Sequence, residues 1–168
     1  MKKEAAKPKK NAPAKDNSGA KELDLCLILD CTSSMWSWIE RSKDTLKQII
    51  DVVKGENPGL DIQVCFVGYR DITDRERFTM KEFTDDVEEM KKFISTVRAE
   101  GGADFPEDVQ GGFNKALNMK WRKGSTKTAF LIADAPGHGK DLCDWGDSYP
   151  NGSPEGYKLQ DQMREFAK

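Results

Sequence analysis

Leu25-Cys26-Leu27-Ile28-Leu29-Asp30-Cys31-Thr32-Ser33-Ser34-Met35 is an almost wholly apolar run that stops abruptly at Asp-x-Thr-x-Ser. Such a run reads as a strand buried on both faces, as in parallel sheets covered by helices. The turn after it offers a carboxylate and two hydroxyls on alternate residues, and alternate side chains of extended chain point the same way. Three hard oxygens on one side of a strand's carboxyl end suit a small cation such as Mg²⁺, which takes oxygen ligands at roughly 2.0–2.1 Å. A capped turn leading into the next helix would use the same residue types.

Working outward, Trp38, Ile39, Ser42, Leu46, Ile49, Ile50 and Val53 recur at spacings of three and four, which predicts a helix ended by Gly55 and Pro58. Ile62 to Tyr69 is a second apolar strand, and the shorter, more polar Arg77–Phe83 stretch predicts an edge strand. Val87, Met90, Ile94 and Val97 mark another helix, stopped at Gly101-Gly102. Pro106 suits the first turn of the one that carries Val109, Phe113, Ala116 and Leu117. Thr128–Ala133 reads as a third buried strand, ending at Asp134. Strands alternating with helices predict an α/β, doubly wound, mostly parallel sheet, in which ligands bind beyond the carboxyl ends of the strands.

A third loop, Gly101-Gly102-Ala103-Asp104-Phe105-Pro106-Glu107-Asp108, joins this crevice. Its glycines permit positive φ, and Asp104 stands just before a helix, where a helix cap is the alternative reading. Taken together, Asp30, Thr32, Ser34, Asp104 and Asp134 bring oxygens from three loops to one place, and a fixed cation is the simplest reason to cluster three carboxylates.

These blocks, with Gly68-Tyr69-Arg70-Asp71 and Ala133-Asp134-Ala135-Pro136-Gly137-His138-Gly139, occur in an order that resembles a von Willebrand factor A domain over residues 22–168. They resemble in particular the cytosolic protist type, in which such a domain can precede an atypical alpha-kinase domain. The resemblance implies a Rossmann-like fold with sheet order 3-2-1-4-5-6 and a metal-ion-dependent adhesion site for Mg²⁺ or Mn²⁺. It places Asp30, Thr32 and Ser34 in the first motif, Asp104 in the second and Asp134 in the third, with a partner's Asp or Glu completing the metal shell. Most of the family has Thr where this chain has Asp104, which adds a third carboxylate to the site. The family also continues with further strands, whereas residues 140–168 offer a polar loop and one candidate helix (Tyr157, Leu159, Met163, Phe166). The expectation is a fold lacking its last strands.

Residues 1–21 carry seven Lys against Glu4 and Asp16, a net +5, and no Leu, Ile, Val, Phe, Trp or Tyr. This segment cannot bury enough surface to offset its ordering entropy and reads as a disordered basic tail that could contact anionic surfaces. The whole chain is −2, so residues 22–168 carry −7, which argues against nucleic acid as a partner. No apolar leader or transmembrane stretch is visible, and Cys26, Cys31, Cys65 and Cys143 have no CxxC spacing. Both features fit a cytoplasmic setting.

Around the motif, Trp36, Asp71 and His138 are candidate rim or partner-contacting residues. Trp38 reads as core, and Asp141, Asp144 and Asp147 read as solvated. The lone His138 excludes a multi-histidine zinc site. The expected function is a non-catalytic, metal-dependent protein-binding module, any kinase activity lying in a separate domain. The alternative is a metal-dependent phosphatase or hydrolase using Asp30. That chemistry wants a second acid two residues on, where this chain has Thr32.

Overall fold

The computed structural model describes residues 21–168, so the expected basic tail lies, except for Lys21, outside the described residues. Four strands, β1 (Glu22–Asp30), β2 (Asp61–Tyr69), β3 (Phe78–Thr84) and β4 (Thr126–Ile132), form one sheet in the order β3-β2-β1-β4. β1 runs parallel to both neighbours, with Cys26 opposite Cys65 on one side and Ala129 on the other, while β3 is an antiparallel edge.

The apolar run works as its pattern demands. Leu25, Leu27 and Leu29 pack on one face under α1 (Ile39–Glu56) and α2 (Val87–Thr96), with Leu46, Ile50, Met90 and Ile94. Cys26 and Ile28 point to the other face with Val67 and Tyr69, under α3 (Val109–Leu117) and with Phe166 of α4 (Leu159–Phe166) against that layer. Helices on both faces make the sheet doubly wound, and β1 is buried on both sides for that reason. A Cβ at Gly112 would stand 2.8 Å from the Tyr69 ring, so this glycine sets how closely α3 approaches β2.

Buried charges close the two ends of the sheet. Asp24, fully buried in β1, accepts from Arg122 N at 2.6 Å, Arg122 Nε at 2.7 Å and Ser125 Oγ at 2.9 Å. Lys43 of α1, 3 % exposed, donates to Val97 O at 3.1 Å just past α2. That arrangement places a cation where a helix leaves carbonyls unpaired.

Three expectations are corrected. The last strand spans Thr126–Ile132 and is not buried: Phe130 is 38 % and Leu131 42 % exposed. Among the described residues β4 has a neighbour on one side only, so half of its environment is missing. Trp38 is 53 % exposed rather than core, and Met35 and Ile39 of the same stretch are buried in its stead. The helix after Pro106 begins only at Val109, and its cap is Asp108, which accepts from Gly111 N at 2.9 Å. Asp104 is therefore not a helix cap.

Candidate functional site

At the carboxyl end of β1 the chain turns through a short 3-10 segment, Ser33–Ser37, and this turn holds the first group of oxygens. Asp30 and Thr32 are fully buried. Asp30 Oδ1 accepts from Thr32 N at 2.9 Å and from Thr32 Oγ1 at 2.7 Å. Thr32 Oγ1 lies 3.1 Å from Ser34 Oγ, and Ser34 Oγ donates to Asp134 Oδ1 at 2.9 Å. A row of closely spaced oxygens thus runs from the buried end of β1 to the exposed loop after β4. Where a phosphatase would need a second acid, the Thr32 hydroxyl is spent on Asp30.

Two carboxylates here are left incomplete. Asp30 Oδ2 is sealed from solvent with no partner. Burial pushes the Asp30 carboxyl above its ordinary range, partly offset by the Thr32 hydrogen bonds and reinforced by the charge of Asp134. Glu107, 3 % exposed, also has an unpartnered oxygen, Oε2. Burial, then the charges of Asp30 and Asp71, push it up to about 8. Glu107 was missed by sequence reasoning although it stands in the Gly101–Asp108 block. Its recruitment depends on the loops meeting: Glu107 N donates to Pro136 O at 2.9 Å, and Glu107 bridges to Gly137.

The loops are pinned from the other side as well. Gly101 and Gly102 adopt φ of 83° and 85°, which allows Gly101 O to accept from Ser33 N at 3.0 Å and Gly102 N to donate to Asp74 at 2.8 Å.

Asp104 belongs to a different neighbourhood. Its Oδ2 accepts from Ser148 N at 2.5 Å, its Oδ1 is sealed without a partner, and its carboxylate groups with Asp71 and His138, their ligand atoms all within 4.8 Å. His138 is 1 % exposed, with Nε2 2.8 Å from Asp71 Oδ1 and Nδ1 2.8 Å from Asp147 Oδ1. Burial opposes its charge, but these two carboxylates outweigh it and raise the imidazole to about 9. Asp147, expected to be solvated, instead accepts from His138, Gly139 N and Tyr149 N. Asp71 Oδ1 accepts from Ile72 N in its own turn at 2.6 Å and lies 2.8 Å from His138 Nε2.

Exposed aromatics stand in the same loops. Trp36 is 77 % exposed, and Phe105 stacks on Trp145 with centroids 4.6 Å apart and planes 13° from parallel. On the α3–α4 side a separate apolar groove of about 570 Å³, lined by Phe113, Trp121, Ala129, Leu131, Met163 and Phe166, follows the open β4 edge. No helix among the described residues is long and apolar enough to cross a membrane.

Comparison with known proteins agrees with this architecture. The chain is 40 % identical over 145 residues to the alpha-protein kinase vwkA of Dictyostelium discoideum, covering 86 % of this chain and 23 % of that protein. It therefore spans less than a quarter of that relative's length. Among solved structures, the vWF domain of a type V pili tip protein from Porphyromonas gingivalis superposes with a TM-score of 0.56 at 18 % identity. That match covers 71 % of this chain and 40 % of the other. A von Willebrand factor type A structure from Catenulispora acidiphila gives 0.55 at 15 % identity, over 87 % of this chain and 30 % of the other. The family description "von Willebrand factor A domain" matches residues 24–145. With its doubly wound sheet and the Asp30 turn at the head of β1, this chain belongs to the von Willebrand factor A domain family.

Proposed function

We propose that this domain is a divalent-metal-dependent protein-binding module that engages an Asp or Glu of its partner. One observation carries the reading: Asp30 Oδ2 is buried without a partner at the head of the Asp30–Thr32–Ser34–Asp134 row. An unpaired buried carboxylate oxygen is costly. Burial, reinforced by neighbouring carboxylates, raises Asp30 and Glu107, and a bound cation would oppose that shift. The donor set is all oxygen, which suits Mg²⁺ or Mn²⁺.

In this reading Asp30, Thr32, Ser34 and Asp134 hold the cation. When bound, the cation supplies an electron-poor centre for a partner's carboxylate. Thr32 orients Asp30, and Ser34 keeps the Asp134 loop over the site. Trp36 and the Phe105–Trp145 stack offer apolar contact at the rim, where aromatic side chains contribute much of an interface's affinity. By its likeness to a kinase relative, the domain is the binding part of a larger alpha-kinase-like protein in the cytoplasm, with catalysis in another domain.

The test is thermal melting with and without Mg²⁺ or Mn²⁺. A ligand at a hundred times its Kd stabilises the native state by about 2.7 kcal/mol. The wild type should show a metal-dependent rise that Asp30→Ala abolishes. An unchanged rise in that variant would refute the assignment.

A further inference from the structure

We propose that His138 Nε2, Asp71 and Asp104 form a second metal site, for a borderline ion of the Zn²⁺ class, beside the all-oxygen turn at Asp30 and chemically unlike it. The three ligand atoms lie within 4.8 Å of one another, with Nε2 and Asp71 Oδ1 at 2.8 Å. A rotation of the Asp104 carboxyl closes the set around an ion with ligands at roughly 2.0–2.2 Å.

The imidazole is prepared from behind. Its Nδ1 faces Asp147 Oδ1 at 2.8 Å, and Asp147 is itself fixed by Gly139 N and Tyr149 N, each at 2.7 Å. A ligating histidine characteristically donates its other N–H to a carboxylate, which sets the tautomer and aims the free nitrogen at the metal. Without an ion, Nε2 needs a proton to bond Asp71; a metal takes that proton's place.

One ligand atom of the cluster lacks a partner, and an unpartnered carboxylate outside it acts on Asp71. Asp104 Oδ1 is sealed from solvent with no hydrogen bond. Glu107, 3 % exposed and with Oε2 unpartnered, brings another carboxylate within electrostatic reach of Asp71. One imidazole with carboxylates suits Zn²⁺ or Co²⁺, whereas Mg²⁺ prefers oxygen alone. The half-buried Asp104, beside the exposed Phe105, gives an ion its way in.

His138 is the only histidine in the sequence, so its imidazole ¹⁵N resonances report on this site alone. The experiment titrates Zn²⁺ into the whole chain under excess Mg²⁺, following those resonances and the affinity against a competing chelator. One Zn²⁺ should bind, with Nε2 shifted and Nδ1 still protonated. Asp104→Asn and His138→Gln should each weaken binding at least tenfold, and Asp147→Asn about 10–100-fold. Asp30→Asn should leave Zn²⁺ affinity unchanged while removing the Mg²⁺ response. Imidazole resonances that do not move at saturating Zn²⁺ would overturn the proposal, since the ion would then sit on cysteines or elsewhere. So would affinity that falls with Asp30→Asn and not with Asp104→Asn, a half-exposed position whose change leaves the core intact.

Discussion

Ser34 Oγ donates to Asp134 Oδ1 at 2.9 Å, joining side chains one hundred residues apart in sequence. This bond spans the heads of β1 and β4. Both side chains are exposed, so the bond does little for stability; its value is to hold the two halves of the candidate metal centre together.

Ser34→Ala should therefore leave the fold intact, costing about 1 kcal/mol or less in stability. The Mg²⁺-dependent rise in melting temperature should shrink markedly. Differential scanning calorimetry with and without Mg²⁺ checks this, and a full-sized metal response in the variant would place the cation away from Ser34.

Stability should fall as pH rises in the absence of metal. Glu107 is raised from 4.5 to about 8, so its contribution is fully present below 4.5 and lost as pH climbs through 8. His138 is raised from 6.5 to about 9, so its contribution is present below 6.5 and lost through 9. Both act in one direction, each by at most about 1.4 kcal/mol per pH unit. Urea midpoints in EDTA from about pH 5 to about pH 9 should decline. Glu107→Gln should flatten the lower part of that decline and His138→Gln the upper part.

At the opposite end of the sheet, Arg122→Ala should destabilise the domain by about 3–5 kcal/mol, because Asp24 would stay fully buried without its charge partner. The Mg²⁺-dependent shift should persist in whatever folds. A loss below about 1 kcal/mol would mean that Ser125 Oγ and Arg122 N alone satisfy Asp24.

The open β4 edge should make the 168-residue chain self-associate. Phe130 and Leu131 are exposed beside an apolar groove, and an unpaired apolar edge is a template for another strand. Leu131→Lys should lower the mass measured by light scattering towards the monomer. A wild type that is monomeric at high concentration would show that the edge is not sticky.

Much of this was legible in the chain itself. The 25–35 stretch fixed a doubly buried central strand and an oxygen-rich turn, since continuous apolarity and alternate polar residues are local patterns with local causes. The spacing of apolar residues located α1, α2 and α3 within a few positions, and the strand pattern placed Cys26 and Cys65 in the core. Other features depend on which loops the sheet brings together. Nothing near His138 in sequence says that Asp71 faces it, and nothing marks Glu107 apart from its acidic neighbours. Asp104, read as a helix cap or first-site ligand, is drawn towards Ser148 and His138 because the 140–158 loop folds back over it. The exposure of β4 follows from its having, among the described residues, only β1 as a strand neighbour. Periodicity reports what a segment can bury, while burial itself is decided by what the rest of the chain supplies.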